Sequence, residues 1–263
     1  GDVAFRADLI NNCATDRDQA LYQAGTVLQQ QLTPLLGQTF DSSVASSLRL
    51  TPDGAHWSAE LDADPSPLGS IEALVVDGVV VIQDGAVLTP ASFIVDAIFD
   101  NDLLADQTWT ARGDFIGDND WAMRSGVVEF ITGDALTTAL GTEHVGDTIS
   151  TFRASTSGEV LLVCNTDNPD PARDTVMILD GDLELAREGD AVDVNGNGLP
   201  DDNAFIAGFG ANDAFFGADG HVYFLCTLRD NIGASLGSAF LRVLVSTGDC
   251  EPDITTGAIP GQP

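Results

Sequence analysis

One pattern recurs along this chain and leaves few folds open to it. Phe5 in VAFRADL, Trp57 in AHWSAEL, Trp109 in QTWTARG, Leu162 in VLLVCNT and Phe224 in VYFLCTL are large apolar residues, and each is followed two positions on by a small one: Ala7, Ala59, Ala111, Cys164 and Cys226. The successive spacings are 52, 52, 53 and 62 residues. Five copies of one short unit, none able to bury its apolar faces alone, have to stack on one another.

Each unit carries a second signature further on. ALYQAGTVLQQQL, ALVVDGVVVIQDG, WAMRSGVVEFITG and VMILDGDLELARE each hold two apolar runs joined by a short turn ending in Gly, and AFLRVLV is a truncated version at the end. Such segments predict β-hairpins, with Asp77-Gly78 and Asp180-Gly181 the clearest type I′ turns because both central positions need positive φ. A further turn precedes the anchor residue in TPDG, TSGE and GADG, and SSLRL, FIVDAIF, DTISTFRA and NAFIAGF are strand candidates ahead of those turns. The reading is therefore all-β: a β-propeller of about five four-stranded antiparallel blades over residues 1–248. Residues 249–263 form a C-terminal tail. TGDALTTALG is the one place where a short helical turn is expected.

Composition narrows the setting. Ten basic residues, all Arg, stand against 41 acidic ones, a formal charge of −31. That field repels nucleic acid and anionic lipid, and suits divalent cations and a salty medium. No apolar run reaches the roughly 18–20 residues that span a bilayer, so membrane insertion is not expected. The opening GDVAFRADL reads as a strand already under way, which leads us to expect a signal peptide and further sequence upstream.

The fourth spacing exceeds the others by the length of DVNGNGLPDD, residues 193–202. Asp193, Asn195 and Asn197 occupy positions 1, 3 and 5 of a calcium-type loop, Gly198 the tight-turn position 6, Leu199 the carbonyl position 7 and Asp201 position 9. Position 12 is Ala204, so Asp202 or a residue from elsewhere has to complete the shell. Hard oxygen donors at alternate positions point to calcium; an Asx-turn loop without metal is the other reading.

The turn-plus-aromatic segments TPDGAHW, STSGEVLL and GADGHVYF resemble the NxxGxxxF tandem repeats of large secreted bacterial surface proteins, with Thr, Ser or Gly in place of Asn. LAREGDAVDVNGNGLPDDNAFI with GHVYFLCTLRDNIGASLGSAFL is similar to the last repeats of those proteins, and CEPDITTGAIPGQP looks like the start of their dockerin-like C-terminal anchor. The resemblance implies an extracellular, secreted or cell-surface location.

No catalytic constellation emerges. His56, His144 and His221 fall in different repeats without ligand spacing, and there is no nucleophile elbow or phosphate-binding loop. Asp96, Asp100, Asp102 and Asp213 lie on or beside leading strands and are the candidates for a carboxylate-dependent glycosidase. The favoured reading is instead a non-enzymatic structural or adhesive surface module that binds calcium, self-associates or meets other surface proteins, and is able to build an array or filament. A glycan- or ligand-binding propeller is the alternative. With Trp57 and Trp109 as core anchors, only Trp121 remains for a sugar platform. Cys164 and Cys226 occupy equivalent positions and are expected to be buried thiols, whereas a Cys13–Cys250 disulfide would clasp the first repeat to the last. Because the first repeat lacks its leading strand and the last its fourth, the competing outcome is that the tail or a neighbouring subunit supplies the missing strand in trans, giving a head-to-tail chain that grows into a filament.

Overall fold

A computed structural model describes residues 4–8, 19–23, 26–30, 34–35, 38–44, 47–63, 71–89, 93–117, 119–245 and 254–256. Every regular element among them is a β-strand, and the chain divides into two compact units, Gly1–Phe130 and Ile131–Pro263.

The first unit opens with a three-stranded sheet, β1 (Ala4–Asp8), β2 (Gln19–Gln23) and β3 (Thr26–Gln30). Its second sheet holds β4 (Pro34–Leu35), β5 (Gln38–Val44), β6 (Arg49–Leu50), β7 (Trp57–Ala63), β8 (Ile71–Val76) and β9 (Val79–Gln83), with both β5 and β6 pairing β7. The third runs in chain order through β10 (Val87–Leu88), β11 (Phe93–Leu103), β12 (Trp109–Phe115), β13 (Asn119–Arg124) and β14 (Val127–Ile131). In the second unit, one sheet comprises β15 (Ala135–Thr138), β16 (Gly141–Ala154), β17 (Val160–Thr166), β18 (Thr175–Leu179) and β19 (Leu183–Arg187). The other comprises β20 (Phe205–Phe216), β21 (His221–Arg229), β22 (Ser235–Leu244) and β23 (Ile254–Thr256).

The fold class is all-β with antiparallel blades of β-propeller type, four of them rather than the expected five. Among the described residues the first sheet, β1–β3, holds three strands, fewer than any other. The last repeat gains its fourth strand from the tail, where β23 pairs Ile254, Thr255 and Thr256 with Val243, Arg242 and Leu241. TGDALTTALG is not helical: β15 pairs with the start of β16, and its residues alternate exposed and buried, the period of a half-buried strand.

Three hairpin turns share one device. Asp77 and Gly78, Ser125 and Gly126, and Asp180 and Gly181 all have positive φ, which makes each a type I′ turn. The first residue of each turn also closes on the anchor strand. Asp77, Ser125 and Asp180 donate their backbone N–H to the carbonyls of Trp57, Trp109 and Val160 at 3.0, 2.9 and 2.8 Å. Their side-chain oxygens accept the N–H of the same three residues at 2.9, 3.3 and 2.8 Å. An oxygen acceptor that tolerates positive φ is what this place requires, hence Asp or Ser ahead of the Gly.

These contacts correct the alignment of the repeats. Leu50, Leu103, Ala154 and Phe216 on the leading strands face Trp57, Trp109, Val160 and Val222. The true equivalents in the last two repeats therefore lie two residues before Leu162 and Phe224. A slip of two keeps a residue on the same face, so the periodicity survived the error. The leading strands β11, β16 and β20 each carry two register shifts against the anchor strand, and such bulges bend and twist the strand that has them.

The turn before each anchor is closed by a bond from its fourth residue to its first. In three repeats the donor is Gly54, Gly158 or Gly220, with φ of 68°, 99° and 78°; in the third repeat it is Gln107, with φ of 70°. A side chain in the left-handed region costs about 1 kcal/mol. Gln107→Gly is therefore expected to raise stability by up to about 1 kcal/mol in urea melts, and a loss would sink this account of the turn.

Each unit has its own core. Leu21, Trp57, Ala59, Leu61, Ala73 and Val75 pack together in the first. In the second, Leu161, Val163, Met177 and Leu179 pack against Ile206, Ala214, Val222, Phe224 and Cys226. Trp121 is also fully buried, so it offers no sugar platform.

Candidate metal centre and buried polar cluster

The loop 193–202 leaves the second unit between β19 and β20. Its base is zipped: Ala191 bridges Phe205, and Val192 N–H donates to the Ala204 carbonyl at 2.9 Å. Ala204, at loop position 12, belongs to this zipper and brings no carboxylate. Above the base the chain winds around Asp193, which is only 2% exposed although residues 194–201 that follow it are exposed. One Asp193 oxygen accepts Gly196 N–H at 2.7 Å and Asn197 N–H at 3.2 Å, and the other accepts Gly198 N–H at 2.7 Å. Gly196 and Gly198 have φ of 73° and 83°, which is how so short a segment turns three N–H groups onto one side chain.

Two Asx turns follow. Asn195 Oδ1 accepts Asn197 N–H at 3.0 Å, and Asn197 Oδ1 accepts Leu199 N–H at 2.7 Å. The Leu199 carbonyl accepts Asp201 N–H at 2.9 Å, and Asn197 Nδ2 lies 3.4 Å from Asp201 Oδ1. Asp202 staples the loop shut, accepting Val194 N–H at 2.7 Å, Asn195 N–H at 2.9 Å and the Asn195 side-chain amide. The bond from Asn195 N–H is the chief reason its carboxyl sits below the usual range. All six residues picked from the sequence thus fall in one small loop, where Asp202 closes the ends through the Val194 and Asn195 N–H groups and the Asn195 amide and its carboxyl lies beside that of Asp193. The donor set is all oxygen and suits a hard cation. Among the described residues no group of three or more His, Cys, Asp or Glu side chains is placed to hold a metal ion.

A second polar cluster was not legible in the sequence. Arg187 on β19, 0% exposed, pairs with Glu143 on β16 and, at 2.9 Å, with Glu184 on its own strand; it also donates to the Arg173 carbonyl at 2.6 Å. Glu143 accepts further bonds from Thr138 at 2.5 Å, Asn168 at 2.7 Å and Thr166 at 3.3 Å. Burial by itself would raise the Glu143 carboxyl, but the bonds from Thr138, Arg187 and Asn168 outweigh it and hold the group low. Residues 184 and 187 should lie on opposite faces of a regular strand; the register shift opposite Met177 and Ile178 changes the phase between them. The cluster ties β15, β16, β17 and β19 together.

The remaining candidates are dispersed. Asp100, buried on β11, pairs with Arg49 at 2.9 Å, while Asp96 is exposed and Asp102 half-buried on the same strand; Asp213 is exposed on β20. His56, His144 and His221 each face an Asp: Asp77 at 2.7 Å, Asp167 at 2.8 Å and Asp219 at 3.2 Å. Cys164 and Cys226 are buried free thiols, both pushed up to about 12 by burial and so unreactive near neutral pH. Cys13 and Cys250, the expected disulfide, lie outside the described residues.

Fold and loop together define a strongly acidic all-β protein of β-propeller class with an Asp- and Asn-rich loop at residues 193–202. No known family model matches the chain, and no curated protein matches it either.

Proposed function

We propose that the chain is a non-enzymatic, extracellular structural or adhesive module of a cell surface, stabilised by calcium in the loop 193–202 and able to assemble into a larger array. The observation that carries the calcium reading is the nearly buried Asp193 carboxylate. Three N–H groups hold it in place, and Asn195, Asn197, Leu199 and Asp201 supply oxygens at alternate positions of the loop sequence. Asp202, already engaged by Val194 and Asn195, fixes the loop ends. A charge of −31 favours divalent cations and a medium whose salt screens self-repulsion.

Calcium that binds only the folded form stabilises it by RT ln(1 + [L]/Kd), about 2.7 kcal/mol at a hundredfold excess over Kd. Thermal melts in calcium and in EDTA are expected to differ by that order. Asp193→Ala should abolish the difference, and Asp201→Asn, which leaves the Asp193 cradle intact, should shrink it. Identical melts for the wild type in the two buffers would remove the calcium reading.

A further inference from the structure

Only two asparagines of the chain are followed by glycine, Asn195 and Asn197, and they stand two residues apart within the exposed stretch 194–201. An Asn-Gly step is open to one covalent rearrangement. The glycine nitrogen attacks the Asn side-chain carbonyl carbon: an N–Cγ bond forms, the N–H proton passes to a solvent base, and the side-chain amide takes a proton from water and leaves as ammonia. Water then opens the cyclic imide at one carbonyl or the other, giving aspartate or isoaspartate. The sum is amide plus water giving carboxyl plus ammonia, with no oxidant, reductant or cofactor. Glycine favours closure because it has no Cβ to crowd the approach of its nitrogen.

In the folded loop both nitrogens are held back. Gly196 N–H donates to one oxygen of Asp193 and Gly198 N–H to the other, each at 2.7 Å, so a single buried carboxylate occupies both attacking groups. The carbonyls under attack are fixed too. Asn195 Oδ1 accepts Asn197 N–H at 3.0 Å and Asn197 Oδ1 accepts Leu199 N–H at 2.7 Å, bonds to the nitrogen two residues on and not to the adjacent one that would attack. The departing amide of Asn195 is bonded to Asp202, whereas that of Asn197 lies 3.4 Å from Asp201 Oδ1, long for a hydrogen bond.

We propose that the loop 193–202 is a guarded deamidation site: the glycines prime Asn195 and Asn197, and the Asp193 carboxylate keeps both inert until the loop opens. The reaction needs no bound cation, so this inference stands apart from the calcium reading. Local opening that leaves the rest of the fold intact is enough to start it. Asn197, whose amide is held less closely, converts first. Each event adds negative charge, and isoaspartate also adds a methylene to the backbone, which moves the following glycine off Asp193. Because the two steps share one carboxylate, loss of one lock weakens the other. Loss of ammonia is irreversible, so the loop records the time it has spent open.

Peptide mapping by mass spectrometry, after incubation of the full chain in mildly alkaline buffer, tests this. EDTA is present throughout, so the lock under test is Asp193 and not a cation. A hydrogen bond to a charged acceptor that has to break before ring closure slows the reaction about tenfold or more. Deamidation at positions 195 and 197 is therefore expected to run about tenfold or more faster in Asp193→Ala than in the wild type, and at least as fast in wild type unfolded in urea. Asp202→Ala, which frees the Asn195 amide and leaves both glycine bonds to Asp193, is expected to speed position 195 more than position 197. Thermal melts separate a loosened loop from a lost fold, and the comparison of folded with urea-unfolded wild type needs no variant. A folded wild type that converts as fast as the unfolded chain, or an Asp193→Ala protein that melts normally and converts no faster than wild type, would overturn the proposal. So would an unfolded chain in which neither asparagine converts.

Discussion

Arg187→Ala is expected to lower stability by about 3–5 kcal/mol, read as a fall in the denaturant midpoint at unchanged slope. The side chain is 0% exposed and its guanidinium is the only cation bonded to Glu143 and Glu184 among the described residues. Its removal strands two carboxylates and the Arg173 carbonyl, so the loss comes from uncompensated polar groups more than from the pair itself. Removing the partners too should recover much of it: Arg187→Met combined with Glu143→Met and Glu184→Leu is expected to lie well above the single variant. A single variant within about 1 kcal/mol of wild type would mean that water reaches the site and that the cluster is not a clasp.

The pH dependence gives an independent check. Glu143 is held below its ordinary value, so its contribution is complete above the unfolded carboxylate value of about 4.3 and is lost as pH falls through the lower folded value. In Arg187→Ala the guanidinium's share of that lowering is gone while the bonds from Thr138 and Asn168 remain, so Glu143 should move up towards its unfolded value. Less stability is then gained as pH climbs through the acid range. Asp190 and Glu188, both raised by burial, contribute in the opposite sense in the wild type, losing stability as pH rises. The quantity to measure is therefore the difference between variant and wild-type stability, which should widen with pH. A difference that stays constant between about pH 2 and pH 5, or narrows, would contradict the assignment.

What the sequence made legible was whatever depends on period and on local turn chemistry. The all-β class, the strands at each repeat and the type I′ turns at Asp77-Gly78 and Asp180-Gly181 follow from alternation and from the few residues that accept positive φ. Register was not legible, since a slip of two residues preserves the face; Leu162 and Phe224 looked like the anchors for that reason. The number of blades was not legible either: five sequence repeats read as about five blades, where the fold has four. For the loop, spacing alone gathered six residues that share one turn, but it could not tell that Asp202 staples the loop ends while Asp193 collects three N–H groups. The Arg187 cluster depends on a bulge, and bulges break the very period from which faces are read. Aromatic surface was sought in Trp121, which is buried; Phe215 on β20 is instead about half exposed and stacks on Tyr223, a pairing that depends on strand register.

Gly113 and Trp121 set the second large effect. They face each other across β12 and β13, with the indole lying over the glycine, and Trp121 Nε1 donates to the Asp114 carbonyl at 2.8 Å. On the ring's other contacts, Phe115 lies 6.1 Å from Trp121 and Phe93 4.8 Å from Phe115, so the indole anchors an aromatic chain. Trp121→Ala leaves a cavity at a site that is 0% exposed and is expected to cost about 3–5 kcal/mol. Gly113→Ala is expected to cost about 3 kcal/mol or more, because the new methyl would sit 1.9 Å from the Ala97 carbonyl oxygen and 2.6 Å from the indole. The two obstacles differ in kind. A side chain can be trimmed, whereas the Ala97 carbonyl belongs to the bulged stretch of β11, where the register shifts between Val95 and Ala97. Gly113→Ala combined with Trp121→Leu removes the indole clash only, so the double variant is expected to be no more stable than Trp121→Ala. Recovery towards wild type would place the conflict in the side chain, and the bulge would then not be what reserves this position for glycine.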